Sequence, residues 1–298
     1  MKKDNNARDF FLEMQENRFL REKKLLKNIS EGRVVDKTSG YEVIKSLDVS
    51  LGLYSVLLGD LDTGKQYLST SGMMYDFINK VHTTKEEYWL PIDDLAKILL
   101  SDNVKVYERL HKNKQMDLGS EEGGWQGMQK AMYEIAVGDW AGLKETVKYI
   151  KSVKGKYDNL FHDIDNYFKI YEGFLEKDGE KLEEALNYLE KPKFRKVRMR
   201  EIIMEKHISI ITTALAKMAW MHGMEVEIDS DYVPKSVLPF SPLAEYNIPY
   251  RFLRDYYRKE GIDWSYNPVH PELQDWENDP ENPNRKKGGL LKKWFSGK

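Results

Sequence analysis

Proline placement constrains this chain more than any other feature. Of its ten prolines, eight lie between Pro234 and Pro283, and the first 233 residues hold only Pro91 and Pro192. A proline inside a helix removes an amide donor and clashes with the preceding turn. The long first part is therefore free to be helical, and the stretch after it is not. Apolar spacing agrees: Phe11, Met14, Phe19 and Leu25–Leu26 recur at helical intervals, as do Ile44, Leu47, Leu51, Tyr54 and Leu58. Strand-like alternation is scarce, and Met224-Glu-Val-Glu-Ile228 is its clearest case. The pattern predicts almost continuous helix over residues 7–222, with breaks near 30–40, 83–84, 111–124 and 152–158. Gly223 stands where a helix-ending glycine belongs. Pro234, Pro239, Pro242 and Pro249 then impose an irregular wrapping segment, with a last helix expected around 250–260.

Three places share one arrangement, in which an aromatic and apolar helix meets a Gly–Asp turn and then a second amphipathic helix. They are Tyr54–Leu58 with Gly59-Asp60, Met132–Val137 with Gly138-Asp139, and Tyr167–Leu175 with Asp178-Gly179 in inverted order. Glycine ends one helix, and aspartate caps the next by accepting its unpaired amides. The separations follow no fixed period and no tetratricopeptide signature is present, so no named repeat is assigned. The expected fold is all-α: stacked antiparallel helical hairpins forming an irregular solenoid or bundle, with an irregular proline-rich C-terminal wrap. The polar, glycine-rich run from His111 to Gly124 divides it into an N-terminal helical subdomain (1–112), a linker (113–124), a C-terminal helical subdomain (125–260) and an irregular to disordered tail (261–298).

Composition narrows the function classes. The chain is 41% hydrophobic, enough to bury a core, and its 47 basic residues against 49 acidic ones leave a formal charge of -2 that does not favour a polyanion partner. The absence of cysteine removes disulfides, thiolate zinc sites and thiol catalysis together. No apolar core of signal-peptide length is read at the amino terminus. The most apolar stretch, Ile202 to Trp220, contains Glu205, Lys206, His207 and Lys217, so no membrane span is expected. A cytoplasmic protein follows.

Each motif with chemical potential has a plainer reading. Gly59-Asp-Leu-Asp-Thr-Gly64-Lys65 fits the start of a phosphate-binding loop, but Gln66 replaces the magnesium-binding hydroxyl and Asp60 and Asp62 would repel the anion. An inter-helical turn is the better reading. His162, Asp163 and Asp165 offer a histidine beside carboxylates, yet no third or fourth ligand converges. Glu205 and His207 are expected on the same helix as Ile211 and Leu215, His207 facing the core. Lys191 to Arg200 carries six positive charges and no acid, and reads as a solvated helix face balancing Glu176–Glu190 rather than a nucleic-acid contact. The basic, amphipathic Arg285–Phe295 could make at most a weak membrane contact. Trp140, directly after the Gly138-Asp139 turn, is expected to lie over a helix junction. No catalytic residue, cofactor site or metal site is assigned, and the chain is not expected to be an enzyme.

Ala131-Met-Tyr-Glu-Ile-Ala-Val-Gly138-Asp139-Trp140 is followed by the hairpin through Leu189, then Ala214-Leu-Ala-Lys-Met-Ala219 with Gly223, and Val233-Pro234-Lys-Ser-Val-Leu238. This ordering, over roughly 125–245, resembles the helical immunity proteins of bacterial polymorphic toxin systems, especially the immunity protein 49 type. A related likeness is to the two-part helical immunity partners of DNase toxins. The resemblance implies an all-α protein that neutralises a cognate toxin domain by stoichiometric binding in the cytoplasm of a bacterial cell. The acidic turns, Asp60, Asp62, Glu121, Glu122 and Asp139, are the candidates for contact with a basic toxin face. The alternative on the same fold is a helical-repeat adaptor or regulator that binds a peptide or another protein.

Overall fold

The structure is a computed structural model that describes residues 2–34, 37–82, 92–112, 123–153, 164–201 and 203–268. Among the described residues it contains twelve α-helices and one pair of two-residue strands, and it is all-α as the proline distribution permits and the apolar spacing predicts. The helices are α1 (Lys2–Ser30), α2 (Lys37–Leu58), α3 (Leu61–His82), α4 (Ile92–Leu99), α5 (Val104–Lys112), α6 (Gly123–Val137), α7 (Trp140–Val153), α8 (Ile164–Glu176), α9 (Gly179–Leu189), α10 (Pro192–Glu201), α11 (Ile210–Met221) and α12 (Arg251–Lys259). Strands β1 (Asn247–Ile248) and β2 (Ser265–Tyr266) pair in parallel, so the start of the expected tail carries a short strand. The expected breaks at 83–84 and 154–158, most of the 113–124 linker, and the tail beyond Pro268 lie outside the described residues; Gly123 and Gly124 open α6.

The three sequence echoes are three hairpins, α2–α3, α6–α7 and α8–α9, closed by one device. At the first, the Gly59 amide bonds the Val56 carbonyl (3.0 Å) and the Asp60 amide bonds Ser55 (2.9 Å). At the second, Gly138 bonds Ile135 and Asp139 bonds Glu134; at the third, Lys177 bonds Phe174 and Asp178 bonds Gly173. Each aspartate then caps the following helix through Oδ1, accepting from Thr63, Gly142 and Lys181 respectively. The first two turns use glycine in the left-handed region, whereas the third uses Lys177 at φ 54. Within the first hairpin a side chain at Gly52 would strike Leu68, a close approach that only glycine permits.

Burial follows helical spacing. On α9 Leu182, Ala185, Leu186 and Leu189 face inward, and on α12 Leu253, Tyr256 and Tyr257 do. On α1 Phe11 is buried, but Phe19 is exposed, contrary to its place in the spacing pattern. The central helix is α11, buried at every position from Ile210 to Ala219 and packed against α4 and α9. It ends as expected at Gly223 (φ 80), whose amide bonds Trp220 while the Met224 amide bonds Ala219. One apolar cluster joins α2 through α9, α11, the wrap and α12.

Two breaks differ from the sequence expectation. The helix expected to run through Glu205 and His207 is interrupted: a single tight turn covers Ile203–Lys206, and α11 starts only at Ile210. Buried Glu205 stands outside α11 and accepts from the Ile210 amide at 2.8 Å, which gives the helix start the partner it lacks. His207 therefore does not share a helix face with Ile211 and Leu215; it lies edge-on to Phe11 at 5.2 Å. The second break, at 100–103, turns through Asp102 at φ 61. Aspartate tolerates this conformation better than most side chains.

Candidate partner-binding surface

The five predicted acidic contacts fare differently. Asp60 is exposed and Asp139 half-buried, and both already cap helices. Asp62 is exposed in the first turn of α3, where it complements the positive end of the helix. Glu121 and Glu122 lie outside the described residues, as do His162 and Asp163. Asp165 is an exposed first-turn residue of α8. Among the described residues no group of three His, Asp or Glu side chains could hold a metal ion, and no helix is long and apolar enough to cross a membrane.

Lys65, the lysine of the loop-like motif, sits inside α3 and is buried. Its Nζ lies 2.9 Å from Asp102 Oδ2, while Lys217 Nζ on α11 lies 2.7 Å from Oδ1. The left-handed turn at Asp102 thus aims one carboxylate between two ammonium groups. Spare protons on those lysines hold the wrap: Lys217 donates to the carbonyls of Val237 and Pro239, and Lys65 to that of Ser241. Burial lowers the Lys217 pKa, opposed by Asp102. Gln66 continues the clamp, donating to the Asn247 carbonyl and accepting from its amide.

A second centre involves Glu190 at the end of α9. Its Oε1 accepts from Ser209 and Thr212, both at 2.6 Å, and its Oε2 from Ser230 at 2.8 Å and Arg195 at 3.2 Å. Arg195 also donates to the Glu205 carbonyl and lies over the Tyr232 ring, 3.6 Å from its centroid. The basic stretch therefore splits in two. Phe194 and Arg195 are buried, Arg195 balancing Glu190 as the charge pattern implied, whereas Lys191, Lys193 and Lys196 are exposed.

The alternating segment 224–228 forms no strand, yet buries Met224, Val226 and Ile228 and exposes Glu225 and Glu227. Side chains of α9 replace the missing strand partner. Asn187 donates to the Glu227 carbonyl (3.0 Å) and accepts from the Asp229 amide (2.8 Å), and Glu183 accepts from the Glu227 amide. Trp220 Nε1 donates to the Val226 carbonyl from the other side. Trp140 meets His222, at the end of α11, edge-on at 4.7 Å, and His222 in turn contacts the Ile135 carbonyl. The tryptophan thus covers the junction of the α6–α7 hairpin with α11. Burial lowers the His222 pKa.

Sequence reasoning missed these buried charge centres because their members lie far apart in the chain. The available signals were Lys217 within an otherwise apolar helix and Glu190 between two helices. No curated protein and no solved structure matches the chain. A family model described as immunity protein 49 matches residues 166–237. That span runs from α8 to the turn before Leu238, and it contains the Glu190 centre, the Asn187 clamp and all of α11. Over these residues the chain matches the immunity protein 49 family, the family that its sequence resembles.

Proposed function

We propose that this chain is a cytoplasmic, non-catalytic immunity protein that neutralises a cognate bacterial toxin by binding it stoichiometrically. The match of residues 166–237 to the immunity protein 49 family carries this reading. The use of polar groups supports it: Glu190, Arg195, Glu205, Asp102, Lys65 and Lys217 are committed to internal contacts, as in a rigid scaffold that presents a preformed surface. On this reading Asp60, Asp62, Glu121, Glu122 and Asp139 meet a basic toxin face and speed association. Asp62 is the clean test of that contact, because it can be changed without removing a cap.

The deciding experiment captures the tagged chain from its own cells, then expresses each stoichiometric partner with and without it. A polypeptide that kills alone and is harmless beside this chain is the expected result. A partner with no toxicity sinks the immunity reading in favour of an adaptor.

A further inference from the structure

We propose that the end of α9, the outer face of α10 and Tyr232 form a docking site for an acidic patch on a protein partner. This rests on the immunity reading and gives the toxin a negative contact as well as the basic one. Lys191, Lys193 and Lys196 are exposed and form no ion pair among the described residues. Tyr188, which lies under Lys191, and Tyr232, which lies against Arg195 of α10, are 37% and 40% exposed. Neither hydroxyl makes a hydrogen bond among the described residues. The patch therefore offers three ammonium groups and two phenolic donors, the complement of a set of carboxylates.

Ring geometry selects a protein over a nucleic acid. Bases bind by stacking on open aromatic faces. Here Lys191 Nζ lies 4.4 Å and the Phe194 ring 4.8 Å from the Tyr188 centroid, and the Arg195 guanidinium takes one face of Tyr232, so less ring surface is open for stacking. Exposed Asp229 and Asp231 border the patch and oppose an extended polyanion, but not a discrete acidic patch. The platform is stiff, since Glu190 ties α9 to Arg195 on α10, to Ser209 and Thr212 at the start of α11, and to Ser230. Tyrosines held in this way lose little entropy on binding.

The test uses the full chain, its K191E/K193E/K196E variant and its Y188F/Y232F variant. The probe is the toxic polypeptide recovered with the chain. Charge reversal should weaken binding by about tenfold or more, most strongly at low salt. Loss of the hydroxyls should weaken it about threefold to tenfold, and both variants should melt at the wild-type temperature. Wild-type affinity in both variants, with cells still protected, overturns this surface and leaves the immunity reading standing. If the chain protects against no polypeptide, the immunity reading falls and the surface is judged with a Glu–Gly repeat peptide and an oligothymidylate of equal length. Peptide binding that vanishes on lysine reversal supports the surface. Tighter binding of the oligonucleotide, or binding of neither, overturns it.

Discussion

Asp102 shows how much one residue can organise while leaving no motif behind. Its left-handed backbone places a carboxylate between Lys65 on α3 and Lys217 on α11, and both lysines then reach carbonyls of the wrap. Asparagine keeps the backbone preference and the shape but removes the charge, leaving two buried ammonium groups uncompensated. D102N should therefore lose about 3–5 kcal/mol of stability, read by urea denaturation; a loss below about 1 kcal/mol would mean that the cluster is not the anchor of the wrap. Lys177 presents the opposite case, a residue its position does not suit. It holds φ 54 where the other two hairpins place glycine, so K177G should stabilise the protein by roughly 0.5–1 kcal/mol. An unchanged or lower melting temperature would refute that strain. Neither role could be read from the chain, because a left-handed Asp or Lys has the same letter as a helical one. Lys65 drew attention only through a loop motif it does not serve.

At the scale of elements, the hairpins were legible because their closure is local. Gly59-Asp60 and Gly138-Asp139 each encode the end of one helix and the cap of the next within two residues. The same locality explains the fate of the acidic candidates, since the aspartates that stand out in the sequence are largely those that cap. The helix end at Gly223 was legible for the same reason. The start of α11 was not, since no glycine or proline marks the turn at 203–206 and the buried carboxylate of Glu205 that begins the helix anew is one charge among Glu205, Lys206 and His207. The alternation at 224–228 matches burial without a strand partner, because its hydrogen-bond partners are side chains of α9. In N187A the Asp229 amide loses its acceptor, while the Glu227 amide keeps Glu183. Hydrogen exchange should accelerate at Asp229 and much less at Glu227, with a stability loss of about 1–2 kcal/mol. Equal acceleration at both amides would show that the segment opens as a unit and that Asn187 is not a local clamp.

For the molecule as a whole, α12 and the residue before it bind the N-terminal helices to the C-terminal end of the fold. Tyr256 and Tyr257 reach Asp76 of α3, which also pairs with Arg109 of α5. Tyr250 bonds Glu22 of α1 at 2.9 Å and Asp48 of α2 at 2.7 Å. One hydroxyl proton can be donated to only one of these oxygens, so the other contact requires a protonated carboxyl that donates to the phenol. Burial drives both acids towards that state, raising Glu22 to about 7 and Asp48 well above its usual range, where the charge of Glu22 adds to the effect. A carboxyl with a raised native pKa binds its proton more tightly when folded. Its stabilisation is therefore fully present below the unfolded value of 4.5 and is lost as pH rises through about 7. Buried Glu134, also raised to about 7, contributes in the same direction. Between pH 5 and pH 8 Glu22 and Glu134 should each cost the wild type on the order of 2–3 kcal/mol. E22Q substitutes a neutral amide that can still donate to the Tyr250 hydroxyl, whose own proton then goes to Asp48, so its stability should fall less over that interval and exceed that of the wild type at pH 8. Urea melts of the two proteins across this range provide the check. Parallel curves would mean that the Glu22 proton is equally held in the unfolded chain, and that the contact between α1 and Tyr250 is not governed by pH.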